Sequence, residues 1–198
     1  MQLLIATHNT GKVREYAQLM ADLPLTLLSL SDIGIAWNIA ETGETFEANA
    51  QLKAEGYCRA TGLLTLADDS GLEVDALQGA PGVYSARFAG EGASDAARYQ
   101  LLLERMRAVP DDQRQARFRC VIAIAHPNQP TQYVIGVCEG FIAHEPRGVN
   151  GFGFDPVFWL PQHNQTMAEL SPDEKNRLSH RGQAALRAAA VLRRMLAA

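Results

Sequence analysis

The sequence predicts an α/β fold: a mixed β-sheet with flanking helices, arranged as two lobes around a central cleft. Three observations carry that expectation. The chain opens as strand, turn and helix, and short apolar runs alternate with amphipathic helical segments through its first half. Its second half then holds two long alternating segments joined by a short polar turn, the pattern of a hairpin rather than a crossover. With 198 residues, 47% of them hydrophobic, the chain has the apolar side chains for one domain spanning 1–198.

The elements follow in order. "QLLIAT" (2–7) is a strand ending in the polar turn "HNTG", and 12–23 has helical periodicity. "LTLLSL" (25–30) is a second strand. Residues 45–62 read as a helix with Thr45 as N-cap and Gly62 just past its end. "LLTLA" (63–67) is a buried strand that delivers Asp68 and Asp69 at its C-terminal end, where Ser70-Gly71 bends the chain. A helix over 94–109 is capped by Ser94 or Asp95. Residues 116–126 and 132–144 form the hairpin around "PNQPT", and "GVNGFGFDPVFWLP" is a Gly-rich loop running into a strand. Ser171, Pro172 and Glu174 make a capping box, and a terminal helix starts again at Ser179.

Charge and cysteine usage exclude several classes. A net charge of −4 argues against general binding to nucleic acid or a membrane surface, so an anionic substrate must meet a local cluster of cations. The opening apolar run is too short for a signal or a membrane span. Cys58, Cys120 and Cys138 form no C-x-x-C pair and read as buried thiols in a reducing cytosol. His8, His126, His144 and His163 show no metal-ligand spacing.

Among fifteen arginines there are only three lysines, Lys12, Lys53 and Lys175. Chance is one reading of so small a number; the other is that Lys, a compact point charge, is kept where a phosphate or a metal-bound oxygen must be approached closely. All three lie in unusual stretches. "THNTGK" joins a strand to a helix, and helix N-termini bind phosphate through free N–H groups. It lacks the spacing of a Walker A loop, and alone it reads equally as turn chemistry. Asn49 and Lys53 share one helix face, where Lys53 either snorkels to solvent or points into a polar cleft. Two adjacent aspartates exceed what a turn needs. Mg²⁺ takes one or two carboxylates together with phosphates and water, so Asp68-Asp69 suits a metal or a base. "GFGFDP" is a tight turn with core aromatics or a slot for a planar base. "SHRGQA" is a helix cap or a base-reading edge.

Taken together, "ATHNTGKVRE", "ETGETFEANAQLKA", "ADDSGLEVDALQGAPGVYSARFAG", "GFGFDPVF" and "EKNRLSHRGQA" resemble the inosine/xanthosine triphosphate pyrophosphatase family, the RdgB-like house-cleaning enzymes. The resemblance runs in order over nearly the whole chain. It implies a nucleotide-binding cleft between two lobes, a cytoplasmic homodimer, Mg²⁺ dependence, and cleavage of ITP, dITP or XTP to monophosphate and pyrophosphate. It places Thr7, His8, Asn9, Thr10, Gly11 and Lys12 on the triphosphate, and Glu41 with Asp69 at the metal. Asp69 is then also the proton acceptor, with Lys53 beside it. Ser70, Phe152, Gly153, Phe154, Asp155, Lys175, His180 and Arg181 hold the nucleotide and its base. Two positions depart from the family pattern: His8 stands where Gly is common, and Phe154 where Tyr is common. Two other classes remain: a related pyrophosphatase for modified pyrimidine triphosphates, and a nucleotide-binding regulator without turnover.

Overall fold

The computed structural model describes residues 1–197. Strand β1 (Gln2–Ile5) leads into helix α1 (Thr10–Leu19), followed by β2 (Thr26–Ser29). An irregular segment then reaches α2 (Phe46–Thr61) and β3 (Leu64–Val74). The chain continues through α3 (Asp95–Arg105), β4 (Gln115–His126), β5 (Gln129–Ile142), β6 (Phe158–Leu160) and β7 (Gln165–Thr166), and ends in α4 (Pro172–Leu178) and α5 (His180–Ala197). The sheet is mixed, as the sequence predicts. Its order is β2-β1-β3-β4-β5-β6-β7, with β1 parallel to β2 and β3, and β6 antiparallel to β5 and β7.

Local signals fix most boundaries. Thr45 accepts the Ala48 N–H at the start of α2, and Gly62 (φ 69°) closes that helix with its N–H on Cys58 O. Ser171 and Glu174 form the expected capping box of α4. Several expectations need correction. Helix α1 stops at Leu19, short of 23, and α3 stops at Arg105, short of 109. Helix α1 begins at Thr10, because Asn9 caps it, so "HNTG" is partly its first turn. The β4–β5 connection is Pro127-Asn128 alone, shorter than "PNQPT". β3 does not end at Ala67 or bend at Ser70-Gly71: it runs on as a strand to Val74.

The chain divides into two compact units, each with its own core. The first comprises Met1–Asp69, Cys120–Gly136 and the chain from Arg181 on. Its core gathers Leu3, Ile5, Tyr16, Leu66, Ile122 and the alanines of α5, whose small side chains let that helix lie close to the strands. The second comprises Ser70–Arg119 and Val137–His180, with a core that includes Leu72, Met106, Phe118, Phe154, Phe158 and Met167. Among the described residues no helix is long and apolar enough to cross a membrane.

Candidate active site

In the first unit, the β1–α1 turn is organised by Asn9. Its side-chain oxygen accepts the N–H groups of Gly11 (2.9 Å) and Lys12 (3.1 Å), and Thr7 Oγ1 accepts the Asn9 N–H. This places Lys12 in the first turn of α1, pointing at β3 rather than at solvent: its Nζ lies 2.8 Å from Asp68 Oδ2.

Two buried carboxylates inside a central strand are expensive unless each is paired. Alternation along β3 gives them different partners. Asp68 faces α1 and α5, where its Oδ2 meets Lys12, Arg181 Nη2 (3.5 Å) and the Cys120 thiol (3.8 Å). Arg181 is only 2% exposed, and its Nη1 sits 2.7 Å from Glu15 Oε2. Burial alone raises the Asp68 pKa, but the charges of Lys12, Arg181 and Lys53 outweigh it and hold the carboxyl well below the usual range. Asp68 is therefore a fixed anion, and its Oδ1 is buried without a hydrogen-bond partner among the described residues.

Asp69 faces α2. Lys53 Nζ is 3.2 Å from its Oδ1, and Asn49 Nδ2 donates to its Oδ2 at 3.3 Å. The same ammonium is 2.5 Å from Glu41 Oε1, so Lys53 does not snorkel: it bridges two carboxylates. Burial raises the Asp69 pKa, and Glu41 adds to that against the opposing pull of Lys53 and Lys12. Lys53 is itself raised, because Asp69, Glu41 and Asp68 outweigh the cost of burying its charge. Asp69 holds its proton mainly because burial disfavours its charged form, and Lys53 holds its own because the carboxylates around it outweigh burial. With all three groups ionised, Glu41, Asp69 and Lys53 carry one net negative charge. Such a site has room for further positive charge. Among the described residues, no group of three or more His, Cys, Asp or Glu could by itself hold a metal. Two carboxylates of hard oxygen donors nonetheless suit an ion that completes its shell with phosphates and water.

The second unit gathers a separate set. Asp155, almost fully buried, accepts Lys175 Nζ at 2.6 Å and the Phe152 N–H at 2.9 Å. Lys175 Nζ also lies 4.6 Å from the centre of the Phe152 ring, a cation–π contact. Gly151 has φ 77°, and a Cβ there would strike the Asp155 carboxylate, so only glycine fits. Gly153 N–H donates to Asp95 Oδ2 (2.7 Å) at the start of α3. Phe154 is 4% exposed and packs edge-on against Phe88, so its ring belongs to the core and Phe152 alone is left to offer a stacking face. His180 is buried and stacked on Phe118, with centroids 4.6 Å apart. Ser70, the first residue of this unit, is half-buried on β3.

Every lysine of the chain thus sits on a buried aspartate: Lys12 on Asp68, Lys53 on Asp69 and Lys175 on Asp155. Sequence reasoning missed Glu15 and Asp95 as members of these clusters, and it put Asn49 on the Lys53 face without giving it a role. Glu15 and Lys12 are three residues apart on α1, so the helical spacing that paired Asn49 with Lys53 could have found Glu15 too. Asp95 carries no signal beyond its place at a helix start.

Residues 3–191 match the Ham1 family. The chain belongs to it. A dITP/XTP pyrophosphatase of Bacillus licheniformis is 51% identical over 191 residues, covering 96% of this chain and 97% of that protein. A HAM1 protein from Coxiella burnetii has a structure with a TM-score of 0.89 at 46% identity, over 98% of this chain and 99% of that one. The Ham1 protein of Staphylococcus aureus gives 0.88 at 40% identity, over 98% of both chains. The Ham1 resemblance therefore spans both units and every cluster described above.

Proposed function

We propose that this Ham1-family chain hydrolyses the non-standard purine triphosphates ITP, dITP and XTP to the monophosphate and pyrophosphate, and so cleanses the nucleotide pool. The substrate class is supported by the name of its half-identical relative, a dITP/XTP pyrophosphatase. One observation carries the chemistry: Lys53 Nζ seated between Glu41 and Asp69, with Asp69 raised in pKa.

Water attacks the α-phosphorus. The bond from that phosphorus to its bridging oxygen breaks, and the electron pair leaves with pyrophosphate. The water's proton passes to Asp69, which its raised pKa makes a stronger base than an ordinary carboxylate. Lys53 holds Asp69 in place from one side, and Asn49 from the other. Glu41 and Asp69 would hold Mg²⁺, which when bound neutralises charge on the triphosphate. Thr7, His8, Asn9, Thr10, Gly11 and Lys12 bind the triphosphate. Ser70, Phe152, Gly153, Asp155, Lys175, His180 and Arg181 hold the nucleoside and its base, while Phe154 supports that set from the core. The three buried free thiols suit a reducing compartment and support a cytoplasmic location. The homodimer rests on the family resemblance alone.

The test is a panel of purine and pyrimidine triphosphates, assayed for pyrophosphate with Mg²⁺ and with chelator. ITP, dITP and XTP should release pyrophosphate, and chelator should abolish the reaction. Orthophosphate as first product overturns the mechanism, preference for a modified pyrimidine overturns the substrate class, and binding without turnover overturns catalysis.

A further inference from the structure

Glu41 lies on no helix or strand, yet it must be held within reach of Lys53. The segment that carries it connects β2 to α2 without regular structure. Its order comes instead from two anchors, each two residues from Glu41. On one side is Ile39, whose side chain fills the space beside Gly56, so that a Cβ there would strike Ile39 Cδ1. Glycine inside a helix costs roughly 1 kcal/mol relative to alanine, so its presence in mid-α2 asks for a local reason. The reason is this notch. On the other side is Gly43, whose N–H donates to Asn49 Oδ1 at 2.8 Å. A Cβ at Gly43 would come within 2.6 Å of Ala48 Cβ. Asn49 turns its other end to Asp69, so this anchor and the Asp69 carboxylate are set by one side chain.

A third tie lies just upstream. The Trp37 ring stacks on Tyr57, with centroids 5.0 Å apart. The Trp37 carbonyl accepts two hydrogen bonds, from Tyr57 Oη (3.0 Å) and from His8 Nε2–H (3.1 Å). His8 thereby joins the β1–α1 turn to the Glu41 segment, a link that glycine at position 8 could not make.

We propose that residues 37–43 form a strap whose seating on α2 sets the position of Glu41, with Gly56, Tyr57 and His8 as its positioning residues. The proposal rests on the reading of Glu41 as a metal-side carboxylate. Disturbing the strap at Gly56, Tyr57 or His8 moves Glu41 relative to Lys53 and leaves the Asn49–Asp69 hydrogen bond in place.

The experiment uses Trp37 as its own reporter. The chain has two tryptophans, so Trp159→Phe leaves Trp37, 49% exposed, as the single indole. In that background Gly56→Ala, Tyr57→Phe, His8→Ala and His8→Gln are compared by acrylamide quenching without metal or nucleotide, with far-UV circular dichroism confirming the fold. The Mg²⁺ concentration giving half-maximal pyrophosphate release is then measured for each. Gly56→Ala and His8→Ala should increase quenching, and Gly56→Ala should raise the Mg²⁺ requirement about 10-fold, the loss typical of removing support from a metal ligand. Tyr57→Phe should shift both readouts in the same direction. His8→Gln, which keeps a donor, should recover most of the effect of His8→Ala. Unchanged quenching in Gly56→Ala and His8→Ala overturns the strap. Increased quenching with an unaltered Mg²⁺ requirement overturns its link to Glu41. A parent enzyme indifferent to Mg²⁺ overturns the metal reading of Glu41 itself, and the quenching results still decide the strap.

Discussion

Asp68 and Asp69, adjacent in the chain, leave β3 on opposite faces: Asp68 Oδ2 takes Lys12 at 2.8 Å, and Asp69 Oδ1 takes Lys53 at 3.2 Å. The twin carboxylates are therefore two different devices. Asp68 is a fixed anion that holds Lys12 and Arg181. Asp69, beside Glu41, has its pKa raised by burial and is the base of the proposed reaction.

Their contributions to stability have opposite pH dependence. The folded pKa of Asp69 lies above its ordinary value of 3.8, so the folded state binds its proton more tightly than the unfolded chain does. That contribution is present below 3.8 and is lost as pH rises through the folded value. Asp69→Asn should lower kcat by about 10²–10⁴-fold and, because Lys53 keeps Glu41 as a partner, should change the Tm at neutral pH less than Asp68→Asn does. Asp68 has the reverse sign: its stabilisation is present above 3.8 and is lost as pH falls through its depressed folded value. Asp68→Asn also leaves buried cations under-compensated, which costs about 3–5 kcal/mol. Its Tm should fall. Calorimetry and steady-state kinetics on both variants decide this, and a larger fall in Tm for Asp69→Asn than for Asp68→Asn, or near-normal turnover of Asp69→Asn, would count against the assignment.

Lys53→Arg tests the bridge directly. The Lys53 ammonium lies 2.5 Å from Glu41 and 3.2 Å from Asp69, and its side chain is 12% exposed. A planar guanidinium keeps the charge but cannot occupy that point between two oxygens without moving one of them. kcat should fall, with the far-UV spectrum unchanged. A silent substitution would mean that charge alone, not its placement, is what Lys53 supplies.

Gly151→Ala addresses the second unit alone. At φ 77° the new methyl group would meet the Asp155 carboxylate, which holds Lys175 and the Phe152 N–H. The loop must shift, and with it the one aromatic face this cluster offers. KM for ITP should rise well before kcat falls. Loss of kcat with KM intact would instead tie this cluster to the reacting phosphate.

The sheet class, most helix ends and all three lysine-bearing stretches are legible in the sequence, because caps, apolar periodicity and a scarce residue type are local signals. The length of β3 is not. Asp68-Asp69-Ser70-Gly71 looks like a strand end because buried charges contradict a strand interior. What makes them tolerable is supplied from afar, by Lys12, Lys53 and Arg181. The place of Phe154 is hidden for a similar reason: nothing in "GFGFDP" says which of its rings meets Phe88. The strap around Glu41 has no periodicity at all, and only the unexplained helical Gly56 hints at it.

Under the proposed substrate preference, Arg181 bears on how ATP would be spared. Hypoxanthine and xanthine present an acceptor oxygen at the 6-position, and adenine presents a donor amine. A donor discriminates between them only if it cannot turn away from the wrong partner. Arg181 meets that condition: it is 2% exposed, with Nη1 on Glu15 at 2.7 Å and Nη2 near Asp68 at 3.5 Å. Mismatched buried polar groups can separate substrates by roughly 10⁴-fold, beyond what shape achieves for one small substituent. Arg181→Ala should therefore lower kcat/KM for ITP and XTP much more than for ATP, compressing the preference. Glu15→Gln, which weakens the clamp on the guanidinium but leaves the arginine in place, should compress it in the same direction by less. Equal losses for all three nucleotides would assign Arg181 to the Asp68–Lys12 network and leave base reading to the residues around Phe152 and His180.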